Sequence, residues 1–404
     1  MYLIKLYLGK LMMFSFWLLI TIFSWLPKRK ERKQKVVVLT GTFYSKNWAN
    51  AHLLPLVSCP SVKHVYIVST HLEYQADGLT IVTPSDLSCR YIGHTLARLL
   101  CFFSTAVKVK PDYMGGFHIL FNASFAILFA NILRTRSIYF SGGGVTETLE
   151  TGASENSYFK FIEQKDQFLT STICNIIAHA TAIITMGKGA KSFLAKNGVN
   201  NERIHIISGS IDKSKFYPPS SESPKPFDIV LTARLSAIKQ VDLYIDVIAE
   251  IYQRGHSCNA LIIGDGPLFT ELQNYATKSG MQKNITFAGH QDDVLSWLHQ
   301  SKVYILTSRT EGLSLSLLEG LKAGLPAIVP NVGDLGDVLK DGYNGHLIEK
   351  HSKQDFASHI IELIESKEKL EQFSQHAVES TDRFDLSVVQ QQWVALFKKG
   401  NIFE

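Results

Sequence analysis

Glu311 and Glu319 are separated by seven residues in the stretch 308–330, SRTEGLSLSLLEGLKAGLPAIVP, among Gly312, Leu313, Ser314, Leu315, Leu317, Leu318 and Leu321. The leucines imply a mostly buried segment, and carboxylates in such a segment need polar partners. By itself the pair also fits a helix cap with a solvated face. A chemical role therefore has to be argued from what the rest of the chain brings beside it.

The second half alternates short apolar runs with amphipathic ones, which predicts strands over 228–232, 260–264, 285–288 and 303–307 and helices over 241–254, 268–278 and 294–300. Parallel strands present their carboxyl ends at one edge, so three loops share that edge. They are ARLSAIK (233–239) with Arg234 and Lys239, GDGP (264–267) with Gly264 and Gly266, and the stretch from Ser308. Cations facing a glycine loop and a helix N-terminus suit a phosphate. Taken singly, Arg234 and Lys239 would also pass as surface charges. The dinucleotide fingerprint G-x-G-x-x-G fails at Phe269, which weakens a dehydrogenase reading.

The first half starts with KVVVLT (35–40), a β-branched run whose carboxyl end opens the loop 41–50 with Gly41 and Thr42. Strands are expected over 65–69, 79–82, 137–140 and 204–207, and helices over 91–107, 120–133 and 185–197, with a further apolar pattern over 173–184. His118 closes DYMGGFH (112–118) at a loop-to-helix junction, where its side chain would face the crevice outside a sheet. SGGGVTE (141–147) supplies Gly142, Gly143 and Gly144, whose N–H groups could cradle an anion or simply form a tight turn. It lacks the Gly-Lys-Ser/Thr of a P-loop. The stretch 208–227, with four prolines and six serines, marks the joint. The expected architecture is α/β: two Rossmann-like domains with a ligand cleft between them, 36–210 and 228–380, a linker 211–227, and a C-terminal segment 381–404.

Residues 1–35 hold eight Lys or Arg against Glu31 alone, so the net +5 of the chain leaves the body near −2, which argues against a nucleic-acid partner. Five scattered cysteines without C-x-x-C spacing suggest neither zinc nor a disulfide framework, and no His or Asp cluster suggests a metal. The stretch 2–26 is apolar apart from Lys5 and Lys10 and is followed by PKRKERKQK. It reads as a hydrophobic membrane helix with a basic flank, spanning or in-plane, holding the body at the cytoplasmic face. Anionic lipids would attract the basic run. A cleaved signal peptide is disfavoured, because no small-residue cleavage site precedes those cations.

ARLSAIK, IIGDGP from Ile262, FAGH from Phe287 and SRTEGLSLSLLEGLKAGLPAIV together resemble the family-4 retaining glycosyltransferases of the GT-B fold. The likeness covers nearly all of 228–349, and looser matches lie in DYMGGFH, YFSGGG and HIISGSIDKSKFYP. It implies that Glu311 meets the transferred sugar, Glu319 the ribose hydroxyls, and Arg234 and Lys239 the diphosphate, with backbone N–H groups from Gly312 to Leu315 in support. Gly264 and Gly266 would join the donor site. His118 would face the reaction centre from the acceptor side, with Gly41, Thr42 and Gly142 to Gly144 nearby. Were the segment between the glutamates helical, its eight steps would cover about 12 Å, comparable to a donor from ribose to hexose.

The implied reaction moves a glycosyl group from a nucleotide-diphosphate sugar to a hydroxyl without cofactor or metal, and the helix over 384–397 would cross back to the first domain. With a membrane segment, the acceptor expected is a lipid-linked saccharide. A nonenzymatic GT-B nucleotide-sugar binder and a UDP-sugar epimerase are the alternatives. GTFYSKN lacks the paired glycines frequent in the family and ISGSID replaces Asn-Gly-Val-Asp, departures that bear on acceptor contacts.

Overall fold

The computed structural model describes residues 2–43, 46–149, 162, 165–220 and 224–399; positions 44–45 of the first loop and 221–223 of the predicted linker lie outside them. The chain forms two compact units, Met1–Ser210 with Leu386–Glu404, and Ile211–Asp385. Residues 211–227 thus belong to the second unit rather than standing apart, and the chain returns to the first at Leu386, later than the boundary expected at 381.

The first unit's strands are β1 (Lys35–Thr40), β2 (Val62–Val68), β3 (Leu79–Val82), β4 (Tyr113–Phe117), β5 (Arg136–Ser141), β6 (Ala182–Thr185) and β7 (Ile204–Ile206). They make one sheet in the order β3-β2-β1-β4-β5-β6-β7, with every pairing parallel. Val37, Val38 and Leu39 are wholly buried because helices cover both faces, which is why β1 is an unbroken apolar run. The helices are α1 (Tyr2–Ser24), α2 (Lys46–His52), α3 (Leu54–Val57), α4 (Asp86–Ile92), α5 (His94–Val109), α6 (Ser124–Ile132), α7 (Gln167–Ala178) and α8 (Lys188–Lys196).

In the second unit, β8 (Phe227–Thr232), β9 (Ala260–Ile263), β10 (Ile285–Gly289), β11 (Ser301–Ile305), β12 (Ala327–Pro330) and β13 (Gly345–Ile348) are ordered β10-β9-β8-β11-β12-β13, again parallel. They alternate with α9 (Val241–Gln253), α10 (Phe269–Lys278), α11 (Val294–His299), α12 (Leu315–Lys322), α13 (Lys353–Glu365) and α14 (Lys367–Ser380). The last helix, α15 (Leu386–Lys399), packs in the first unit, where Trp393 lies 5.7 Å from Phe140 and Phe397 5.2 Å from Tyr113, ring to ring.

Each sheet reverses its order once, at β1/β4 and at β8/β11, and crevices form beyond the carboxyl ends of strands at such switch points. The loops leaving those four strands begin with Gly41, His118, Ala233 and Leu306. The loops after these four strands include Gly41, His118, Arg234, Lys239 and Glu311 among the motif residues.

Three expectations shift. The helix expected over 91–107 is two, because Gly93 at φ +79° breaks the chain between α4 and α5. The one expected from Leu120 starts with a wider π-type turn over Ile119–Ala123 before α6. The apolar pattern over 173–184 holds the end of α7 and β6 up to its last residue, Thr185. Periodicity cannot divide a buried helix from a buried strand that follows it directly.

The basic segment after α1 is stitched to the sheet. Glu31, its side chain 4% exposed, pairs with Arg136 Nε at 2.5 Å and with Lys35, and accepts from the Tyr113 hydroxyl at 3.2 Å. Removing one member of a buried ion cluster strands the others. Glu31→Ala should lower unfolding stability by about 3–5 kcal/mol, read from denaturant midpoints; a change within ~0.5 kcal/mol would mean that water already screens these charges.

Candidate functional site

In the second unit, β8 ends in the loop carrying exposed Arg234 and half-buried Lys239. That loop is tied to its neighbours by backbone bonds: Leu235 N–H to Asp265 O at 2.9 Å, Leu268 N–H to Leu235 O at 3.2 Å, and Arg309 N–H to Ile238 O at 2.9 Å. Gly264 and Gly266 make this approach possible. A Cβ on Gly264 would sit 1.9 Å from Ala233 O, and one on Gly266 2.4 Å from Leu235 O. Their lack of a side chain thus serves loop-to-loop packing. Gly333 does the same for the third loop, where a Cβ would fall 1.9 Å from Glu311 O.

The result is a direct pair: Lys239 Nζ donates to Glu311 Oε1 at 2.6 Å, both side chains largely buried. These residues are 72 positions apart and are brought together by the parallel register of β8 and β11. Glu311 lies in irregular backbone. The helix begins only after Ser314, whose Oγ accepts from Leu317 N–H at 3.4 Å as the N-cap of α12. The segment between the glutamates is therefore loop followed by helix, and the helical rise of about 12 Å does not describe it. The first turn of α12 leaves N–H groups without intrahelical acceptors beside Gly312, Leu313 and Leu315. Gly320 lets α12 lie on β11, because a Cβ there would meet the Tyr304 ring at 2.6 Å.

Glu319 projects from α12 with no hydrogen bond to its carboxylate among the described residues, and burial pushes it up to about 7. Among the described residues, Thr232 Oγ1 at the end of β8 and Ser308 Oγ, three residues beyond β11, are two of the buried polar atoms without partners. Unsatisfied groups gathered at one sheet edge mark a place built for a polar ligand. If ribose hydroxyls donate to Glu319, they favour its ionised form. Affinity for a ribose-bearing ligand whose phosphates do not titrate in this range should then rise as pH rises through about 7, weakening ~10-fold one unit below it. Calorimetry from pH 5.5 to 8.5 checks this, and the slope should vanish in Glu319→Gln; a pH-independent affinity in the parent protein removes Glu319 from the ligand.

In the first unit, His118 follows β4 at φ +63°, half-exposed, with its N–H bonded to Phe140 O at 3.1 Å. Its Nδ1 lies 2.9 Å from Glu147 Oε1. The carboxylate also accepts from Ile119 N–H at 3.0 Å, Gly143 N–H at 2.5 Å and the Tyr139 hydroxyl at 2.8 Å. Burial raises the Glu147 carboxyl, but His118, the Gly143 N–H and the Tyr139 hydroxyl outweigh burial and hold it below the usual range. An ionised carboxylate only accepts, so Nδ1 carries the proton and Nε2 is the ring's second nitrogen.

The glycines of SGGG have two uses here. The Gly143 N–H is occupied by Glu147, and Gly142 lies against the imidazole, where a Cβ would be 3.1 Å from His118 Cε1. Gly144 takes φ +62° to turn the chain. Gly41 is closed over by Phe43, and Thr42 accepts from Arg98 at 3.3 Å. Glu147 is the residue that sequence reasoning passed over. The signal was present, since it ends the SGGGVTE segment, but nothing in the sequence tied it to His118 29 positions earlier. His52 is pushed down to about 4 by burial and then by His118, which makes it a neutral neighbour of the same histidine.

Residues 212–380 match the family described as Glycosyl transferases group 1. The match falls within the second unit, Ile211–Asp385. An uncharacterized glycosyltransferase of Methanocaldococcus jannaschii is 31% identical over 204 residues, covering 50% of this chain and 55% of that protein. The UDP-Gal:alpha-D-GlcNAc-diphosphoundecaprenol alpha-1,3-galactosyltransferase of Escherichia coli is 26% identical over 182 residues, 42% of this chain and 47% of that enzyme. The chain spans about half the length of these curated relatives. Among solved structures, Anabaena HepE in complex with UDP-glucose superposes with a TM-score of 0.69 at 17% identity, covering 91% of this chain and all of that one. At that identity the likeness establishes the fold, which is GT-B: two parallel-sheet α/β domains, here with an apolar N-terminal helix.

Proposed function

We propose that the protein is a retaining glycosyltransferase that moves a sugar from a nucleotide-diphosphate sugar to a hydroxyl of a lipid-linked saccharide at the cytoplasmic membrane face. The observation that carries this reading is the Lys239–Glu311 pair with Glu319 eight residues on, at one sheet edge of a group 1 domain. Lys239 and Arg234 supply positive charge for a diphosphate, and the first turn of α12 adds backbone N–H groups and the positive end of its dipole. Charge developing on the leaving diphosphate is stabilised by groups already in place, so the proposed chemistry calls for no cofactor or metal. Glu311 would hold sugar hydroxyls and Glu319 the ribose.

From the first unit His118 would act on the acceptor side, its ring oriented by Glu147. Residues 1–35 supply the contact with membrane lipids, and the Escherichia coli relative named for a diphosphoundecaprenol-linked sugar supports a lipid-linked acceptor.

The test is a screen of the full chain in detergent with lipid-diphosphate saccharides against UDP-, GDP- and ADP-sugars, following nucleotide release and the anomeric configuration of the product. Transfer with retention is expected. Donor binding without transfer to any acceptor hydroxyl, or an inverted product, would overturn the reading.

A further inference from the structure

α1 is apolar nearly all round, unlike a helix lying on a water-soluble domain. Its inward side carries the polar contacts. Lys10 Nζ lies 2.7 Å from Asp166, Thr21 Oγ1 3.1 Å from His179 Nε2, and Asn131 Nδ2 donates to Ile20 O at 3.3 Å, beside buried Met13 and Ile20. Its outward side presents Ile4, Leu8, Leu11, Leu18 and Ile22, with Trp25 in the turn directly after it, all exposed and spaced by three, four or seven residues. A solvated helix shows the reverse arrangement.

The apolar surface continues beyond α1. Phe16 meets Phe125 on α6 at 4.7 Å, Phe125 meets Phe129 at 5.4 Å, and Phe129 meets Phe103 on α5 at 4.8 Å, ring centre to ring centre. From there exposed Leu96, Leu100 and Val107 extend the stripe along α5. A patch of this extent marks an interaction surface. Its charge complement follows directly in the chain, where Arg29, Lys30, Arg32 and Lys33 are exposed. That basic segment is fixed in place. Arg29 N–H bonds Arg134 O at 2.7 Å, Arg134 Nε bonds Pro27 O at 3.0 Å, and Arg32 N–H bonds Asp112 at 2.9 Å.

We infer that α1 lies in the plane of an anionic membrane surface, as one part of a docking face it shares with α5, instead of crossing the bilayer. The inference rests on the membrane-face reading proposed above and sharpens it. A helix standing across a bilayer would have to leave α6 and α7, breaking the Lys10–Asp166 pair and the Asn131 contact, and it would leave the α5 stripe uncovered. Lying flat, it keeps those bonds and places Trp25 and the basic segment together at the headgroups.

Spin labels at Ile4→Cys, Leu11→Cys, Leu18→Cys and Trp25→Cys test this in the full chain, with Cys89 and Cys101 changed to Ser, on phosphatidylglycerol/phosphatidylcholine vesicles. The expected result is co-flotation with all four labels at equal shallow depth, about 5–10 Å below the headgroups. A crossing helix would instead separate positions 11 and 25 by about 20 Å along the membrane normal; that result overturns the inference and leaves the membrane-face reading intact. Failure to float on anionic vesicles, or self-association in their place, would sink both.

Leu96→Glu/Leu100→Glu gives an independent reading. These exposed positions tolerate charge in the fold, and vesicle affinity should fall at least ~10-fold if α5 shares the face. Unchanged affinity removes α5 from it and overturns the shared docking face.

Discussion

On the proposed donor assignment, Lys239→Ala is expected to weaken nucleotide-sugar binding by about 10²-fold and to reduce transfer by at least as much. The lysine neutralises Glu311 at 2.6 Å in the unliganded protein. If Lys239 holds the diphosphate as proposed, losing it removes a charge-assisted contact and also leaves a carboxylate uncompensated beside an incoming anion. The two penalties can be separated. Glu311→Gln alone should cost transfer more than binding, because it would remove the proposed sugar contact without adding repulsion. The double variant Lys239→Ala/Glu311→Gln should bind donor better than Lys239→Ala does, since the stranded charge is gone. Titration of UDP-glucose into the four proteins gives the cycle, and strict additivity would show that the pair does not act as one unit at the ligand.

The second large effect is expected in the first unit. His118→Ala should lower kcat by about 10²–10³-fold, the range of a positioned proton-transfer group. Glu147→Gln should lower it by about 10²-fold, although Glu147 would touch no substrate. Four donors converge on its carboxylate, and an amide cannot accept from all of them, so the imidazole loses its fixed proton and orientation. Donor affinity should stay as in the parent protein, because these residues belong to the other unit. The discriminating readout is the double variant: with His118 already alanine, Glu147→Gln should cost little further in kcat. Multiplying losses would make Glu147 a structural residue only, and thermal unfolding of each variant separates the two outcomes.

These expectations rest on contacts of different legibility. Glu311, Glu319, Arg234 and Lys239 could be picked out from residue type and position after predicted strands, because a doubly wound sheet sends every such loop to one edge. The pairing of Lys239 with Glu311 could not, since it depends on the β8–β11 register and on Gly264, Gly266 and Gly333 permitting backbone to touch backbone. The same glycines carry a packing role that motif reading does not reveal. A glycine required for loop packing and one that leaves room for a ligand look alike in sequence.

What the sequence determined by itself is local and periodic: two alternating α/β series, the composition break between them, the apolar, basic-flanked N-terminus and the carboxylate spacing. These follow from burial patterns and turn chemistry, which neighbouring residues encode. What only the tertiary structure decided is where distant groups meet. Glu147 finds His118 because β4 and β5 pair in parallel, Glu31 holds the basic segment because Arg136 and Tyr113 stand side by side on those strands, and α1 turns its apolar stripe outward because Asp166 and Asn131 claim its polar side. Such contacts arise from register and packing between segments tens of residues or more apart, and no local pattern records them.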